Sequence, residues 1–313
     1  MGCISSKLKD GSETTDSEST QNDEFRYQDG RRYHNVEGAV YPMPNDEDEQ
    51  DRLHLQHFLM RYLWQSNFSA PIDQILNTSG AQVLDIGCGA GSWSFDMATT
   101  YPAVEIFGVD ISPLQPTQIK PKNFTYVKAN VLEGLPFEDN TFDYVYQRFM
   151  LYAYTKDDWP AVMNELVRVL KPGGFLELME PSPYLFNVGP VNERLWNAPP
   201  VKNRGVDPDI YQTLEMYPQN QDQLENVKKE IKTIRHGVNA DNHQLNKVGI
   251  NNLISIAAGM KAVTTKLLQI SDDEYDEMLK AAEKELYNSD SYYYLVRVYA
   301  SKVVNDNQTI IQE

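Results

Sequence analysis

The run Val83-Leu84-Asp85-Ile86-Gly87-Cys88-Gly89-Ala90-Gly91 carries the residues whose types and spacing best suit chemistry. An apolar stretch ends on a carboxylate, glycines follow at alternate positions, and an amphipathic segment comes next. Glycine lets a backbone turn tightly and approach a ligand, and the helix that starts behind it aims free N–H groups at the same place. Loops of this kind serve several nucleotides, so the flanking residues decide which one fits. Asp85 suits a cationic ligand end and would repel a pyrophosphate. Ser92 stands where a dinucleotide loop wants glycine or alanine. Asp110 closes the next apolar run, Ile106-Phe107-Gly108-Val109-Asp110, where its carboxylate can accept hydrogen bonds from both ribose hydroxyls. That last feature fits NAD equally, so Asp85 and Ser92 carry the discrimination toward a positively charged sulfur nucleoside, S-adenosylmethionine.

The elements that must position these residues follow from the hydrophobic pattern. From Gln82 onward, short apolar runs alternate with amphipathic stretches, which predicts a parallel sheet flanked by helices. Strands are expected near 82–86, 105–110, 124–128, 142–148 and 174–180, and helices near 91–100 and 157–170. Lys171-Pro172-Gly173-Gly174 reads as the stop of the second helix. Residues 183–245 show no strand signal and are expected to form a helical insertion on the substrate side. A strand is expected over 260–270, a helix over 272–287 and a final strand over 292–303. Upstream, Asn45 is read as the cap of a helix whose first turn holds Asp46, Glu47, Asp48 and Glu49. Leu53, Leu55, Phe58, Leu59, Tyr62 and Leu63 follow at helical spacing.

Two further blocks, Leu135-Pro136-Phe137-Glu138-Asp139-Asn140-Thr141-Phe142-Asp143 and Leu170-Lys171-Pro172-Gly173-Gly174, lie downstream of the loop. In this order the three blocks resemble the motifs of class I S-adenosylmethionine-dependent methyltransferases, over roughly residues 40 to 303. Tyr41-Pro42-Met43-Pro44-Asn45-Asp46-Glu47 and Asp51-Arg52-Leu53 are similar to the fungal LaeA-like group. The resemblance implies a Rossmann-like, doubly wound α/β fold with a seven-stranded, mostly parallel sheet whose last strand is antiparallel. It also implies cofactor contacts: Asp85 to the methionine amine, Gly87 and Gly89 near the cofactor backbone with Cys88 and Gly91 in the same loop, and Asp110 to the ribose. Ile111 would pack on the adenine, Asn130 and Val131 would lie by its amino group, and Gln147 would lie at the end of the fourth strand. Many members carry Asp where this chain has Asn130, whose amide oxygen can accept the same hydrogen bond.

Methyl transfer from a sulfonium is an in-line displacement, so the protein chiefly positions the acceptor and excludes water. A base is needed only if the nucleophile arrives protonated. Ligands of open α/β sheets gather at the carboxyl ends of the strands. Arg148 and Tyr152, with Gln147, are thereby placed near the acceptor, as are Glu177 and Glu180. Each has a structural reading as strong as a catalytic one. Met150, Met179, Tyr184 and Phe186 fit an apolar pocket or the core equally. His34, His54, His57, His236 and His243 form no Cys/His ligand pattern, and no metal is expected.

The net charge of −17 offers no basic stripe to follow a phosphate backbone, so a small-molecule or protein acceptor is expected and nucleic acid is not. The cysteines are Cys3 and Cys88 only, a usage that fits a reducing compartment. Residues 1–35 are rich in Ser, Thr, Asp, Glu and Gln and read as a disordered tether; 36–304 form the main domain and 305–313 a tail. The start Met-Gly-Cys-Ile-Ser-Ser-Lys satisfies the pattern for myristoylation of Gly2. One such chain binds membrane only marginally, at about 0.8 kcal/mol per buried methylene, so Cys3 is the expected site of a second, palmitoyl chain. The expected location is the cytosolic face of a membrane. Against the enzyme reading stands a different class, a regulatory or scaffold protein that keeps the fold and works through partners.

Overall fold

The computed structural model describes residues 25–35, 41–112, 120–197, 205–240 and 242–304. A hairpin, β1 (Phe25–Gln28) and β2 (Arg31–His34), precedes helix α1 (Glu47–Trp64). The sheet begins with β3 (Gln82–Ile86), followed by α2 (Ser92–Thr100), β4 (Glu105–Asp110), β5 (Phe124–Lys128) and β6 (Phe142–Arg148). Helix α3 (Trp159–Val169) then leads directly into β7 (Leu170–Pro181). After short helical turns come β8 (Leu224–Arg235), α4 (His243–Gly259), α5 (Lys261–Leu268), α6 (Asp272–Asn288) and β9 (Tyr292–Lys302).

The sheet has seven strands in the order β5-β4-β3-β6-β7-β9-β8. Neighbours from β5 to β7 pair in parallel, and β9 runs antiparallel between β7 and β8. The sheet is thus the one implied by the resemblance, last strand reversed. Strand β3 is buried on both faces, as a central parallel strand must be. Val83 packs with Trp93 and Met97 of α2 on one side; Leu84 and Ile86 pack with Val162 and Leu166 of α3 on the other. In α3, Trp159, Val162, Met163, Leu166 and Val167 recur at helical spacing, so one stripe covers the sheet. The chain leaves β3 toward β4 but leaves β6 toward β7. The carboxyl ends of β3 and β6 therefore flank a crevice where ligands of such sheets bind.

Several expectations are corrected. Residues 260–270 are helical over Lys261–Leu268, closed by Gln269 at φ 55°. The short apolar run there could not distinguish strand from helix, and β8 fills the sheet edge. Within 183–245, β8 is a full strand, missed because an edge strand carries Lys228, Glu230 and Lys232 rather than an apolar run. Residues 25–34, assigned by composition to the tether, form the hairpin. The cap of α1 is Asp46, whose side chain accepts from the Glu49 N–H at 3.2 Å. Phe58 and Tyr62 of that helix are exposed, and its buried face instead holds Glu49, Arg52, His57, Leu59, Met60 and Trp64. Gly2 and Cys3 lie outside the described residues. Among those described, no helix is long and apolar enough to cross a membrane.

Candidate active site

The glycine loop is built by backbone geometry that side chains resist. Gly87, Gly89 and Gly91 all have positive φ, at 66°, 52° and 78°. The Cys88 N–H donates to the Val109 carbonyl at 3.0 Å, tying the loop to β4. The Gly89 N–H donates to one oxygen of Asp110 at 2.9 Å, and the Ser112 N–H donates to the other at 2.9 Å. The two strand ends thus hold each other in register. Lone pairs remain on both carboxylate oxygens for a ligand. Burial raises the Asp110 carboxyl above its ordinary value, against the opposing pull of these N–H groups.

Asp85 lies beneath the loop, almost wholly buried, and accepts from the Ser94 hydroxyl at 2.6 Å. Burial pushes its carboxyl up to about 7; the Ser94 bond and the Arg148 charge pull it down, and Asp110 adds to the rise. A buried acid of this kind gains from any cation brought near it. His54 of α1 meets the Ser92 hydroxyl at 2.7 Å, and His57 meets Asp96 at 3.1 Å, so both histidines fasten α1 to α2. Among the described residues no group of His, Cys, Asp and Glu is arranged to hold a metal.

Above the loop is a cleft of about 970 Å³. Gly87, Cys88, Gly89, Asp110 and Ile111 line it, whereas Asp85 lies below the loop and off its wall. Gly91 instead caps the start of α2. Asn130, Val131 and Gln147 do not reach its walls. Asn130 caps a short turn, accepting from the Leu132 N–H at 3.1 Å and donating to Glu133 at 2.8 Å. Val131 packs in the core, and Gln147 is fully buried with its side-chain oxygen accepting from the Tyr154 hydroxyl at 3.1 Å.

The opposite wall comes from residues whose role the sequence did not show. His34 of the hairpin, Tyr41, Pro44, Asn45, and Leu53 and Gln56 of α1 close over the cleft. Asn45 bridges this layer to the loop after β4: its amide donates to the Ser112 hydroxyl at 3.1 Å and its oxygen accepts from Arg32 at 3.1 Å. The upstream block carried a resemblance but no chemical signature, so only folding reveals its place.

The third wall follows β6. Phe149 sits at φ 59°, a strained region for an aromatic residue, and Arg148, Phe149 and Met150 all line the cleft. Glu180 supports this turn: its carboxylate accepts from the Met150 N–H at 2.8 Å and the Leu151 N–H at 3.0 Å. Glu177 accepts from Ser69 and Ala70 N–H groups, both at 2.8 Å, and faces Arg297 at 3.6 Å. Both glutamates, read from the sequence as near the acceptor, are therefore buried structural anchors.

Residues 83–174 match the model of a family described as "Methyltransferase domain". "Methyltransferase pytC" of Aspergillus terreus is 39% identical over 158 residues, 50% of this chain and 46% of that protein. "Protein-methionine methyltransferase laeA" of Emericella nidulans is 29% identical over 167 residues, 52% of this chain and 42% of that protein. The matches thus span less than half of the length of these curated relatives. A solved phosphoethanolamine N-methyltransferase 2 of Haemonchus contortus aligns with 80% of this chain and 57% of its own at 18% identity. Its TM-score of 0.46 is too low to speak to activity. Residues 83–174 thus match a methyltransferase domain model, and over about half of its length the chain is similar to pytC and to the LaeA-like methyltransferases of fungi.

Proposed function

We propose that this chain transfers the methyl group of S-adenosylmethionine to a small-molecule or protein acceptor. The observation that carries the reading is the positive-φ glycine loop of the cleft, with Asp110 on the cleft wall and the buried carboxylate of Asp85 beneath the loop. The residues fit such a nucleoside. A Cβ on Gly87 would collide with the Met150 sulfur, so the glycine is what lets the turn after β6 come up against the loop. When bound, S-adenosylmethionine supplies an electrophilic methyl group on a sulfonium.

The chain's own residues do the rest. Asp85 offers a negative charge to the cationic end, and Asp110 offers acceptor oxygens to the ribose. Ile111 gives an apolar face for the base. Tyr41, Pro44 and Asn45 shield the cleft from water, and the turn Arg148–Met150 borders the place where an acceptor would meet the methyl group. Asn130, Val131 and Gln147 keep the supporting layer in place rather than touching the ligand. Calorimetry with S-adenosylmethionine tests the reading. Binding that is lost in Asp85→Ala, together with release of S-adenosylhomocysteine in a cell extract, is the expected result. Binding without turnover in any extract would favour a scaffold instead.

Acylation of Gly2, with Cys3 as a second site, would hold this domain on a cytosolic membrane face. The support is the sequence pattern alone. Intact mass of protein from a eukaryotic host checks it, and an unacylated Gly2 would remove it.

A further inference from the structure

Beyond the cofactor cleft lie two more cavities, of about 500 and 450 Å³. The larger shares Gln56 and Phe149 with the cleft, and Tyr152, Pro183 and Trp196 border both cavities. The three spaces therefore stand in a row, with the larger cavity as a middle chamber. Its walls are mainly apolar and aromatic, with Met60, Leu253 and Ile256 from helices α1 and α4 and Tyr293 from β9, and Gln56, Ser182 and Asn252 are its polar members.

No Asp, Glu, His or Lys lines either cavity among the described residues. The phenols that do, Tyr152, Tyr184, Tyr275 and Tyr293, are all raised by burial, so none exists as a base near neutral pH. One cation stands at the junction. Arg148 lines the cleft beside Phe149, its guanidinium 5.6 Å from the ring centroid, and among the described residues no carboxylate pairs with it within ion-pair distance. Farther in, the Trp196 ring lies between the two cavities.

We propose that the middle chamber is the acceptor site and takes an apolar, ring-bearing small molecule with an acidic hydroxyl, a phenol or enol that ionises in water without help from the protein. Arg148 pairs with the resulting oxyanion at the mouth, which makes it the specificity-determining residue. This deepens the methyltransferase reading and rests on it. The acceptor loses its proton to solvent before entry. An oxygen lone pair then forms the O–CH3 bond as the S–CH3 bond breaks, and that bond's electron pair returns to sulfur. Cation and anion become a neutral ether and a neutral thioether, a change that an apolar, water-poor chamber favours.

The test uses the full chain with 4-hydroxycoumarin (an acidic enol), 2-naphthol (a weaker acid) and N-acetylmethionine amide as probes. Binding is measured by calorimetry in the presence of S-adenosylhomocysteine, and methylated product by mass. The expected result is that 4-hydroxycoumarin binds and is O-methylated, and that on switching to 2-naphthol the pH profile moves with the acceptor's own ionisation. Arg148→Gln weakens 4-hydroxycoumarin binding by about tenfold, a larger change than it makes in S-adenosylhomocysteine affinity. Ile256→Trp excludes the enol from the chamber, and retained S-adenosylhomocysteine binding shows that this variant folds. The acceptor class is overturned if S-adenosylhomocysteine binds but the enol does not, if only the thioether is methylated, or if the pH profile ignores the acceptor. It is also overturned if Arg148→Gln weakens S-adenosylhomocysteine instead of the enol. Failure of S-adenosylhomocysteine itself to bind removes the methyltransferase reading, and the acceptor site with it.

Discussion

The thioether sulfur of Met150 lies so close to Gly87 that a Cβ added to the glycine would stand 2.4 Å from it. The two residues end β3 and follow β6, the central strands whose onward connections leave in opposite directions. Their contact is where the cofactor loop and the turn on the acceptor side meet. Met150 has a flexible end and can move, whereas the φ of 66° at Gly87 cannot be relieved without rebuilding the loop.

Gly87→Ala is therefore expected to cost about 1 to 2 kcal/mol of stability through the left-handed backbone alone. It should also weaken cofactor binding by pushing Met150 into the cleft. Adding Met150→Ala is expected to recover part of the affinity and none of the stability. Thermal unfolding and calorimetry on the single and double variants check both. Unchanged affinity loss in the double variant would show that Met150 is not the displaced group.

Asp85 ties stability to pH in a defined direction. Burial holds its carboxyl at about 7 in the folded chain against an ordinary value of 3.8. The folded protein thus keeps a proton that the unfolded chain loses, and stability falls as pH rises from about 4 to about 7. Asp85→Asn is expected to raise the Tm at pH 8 while changing little at pH 4. The same variant should lose affinity for a cationic ligand, and wild-type affinity should rise with pH through the same window. Melting curves at the two pH values, with binding isotherms across the window, decide it.

Asp110 accepts the Gly89 and Ser112 N–H groups as well as facing the cleft. Asp110→Ala leaves both donors without this partner, and a loss of about 1 to 3 kcal/mol in cofactor affinity is expected, roughly five- to 150-fold. Asp110→Asn should fall between, since its one oxygen can serve only part of the set. Equal affinities for wild type and Asp110→Ala would exclude a ribose contact.

Arg297 spans a buried relay: its guanidinium lies 4.4 Å from the Trp64 ring centroid and 3.6 Å from the Glu177 carboxylate. Removing one member of a buried pair strands the other, so Arg297→Met is expected to destabilise the fold by about 3 to 5 kcal/mol. Adding Glu177→Gln should return part of that loss. Denaturant unfolding of the two variants measures the coupling, and simple additivity would mean that the pair is not a unit.

Fold class and the nucleoside loop were legible in the sequence because both rest on local order along the chain. A run of apolar residues ending in Asp85, glycines at 87, 89 and 91, and the amphipathic stripe of α3 leave a pattern that needs no distant partner to interpret. Tertiary structure alone decided the rest. Strand β8 became a strand by pairing with β9, although its own charges give no such signal. Glu177 and Glu180 became anchors because distant backbone N–H groups converge on them. Tyr41 and Asn45 came to share a cleft with Gly87 and Asp110 because the segment before α1 folds back over the strand ends. Contacts between segments remote in sequence depend on where the chain packs, and a one-dimensional pattern does not encode that position.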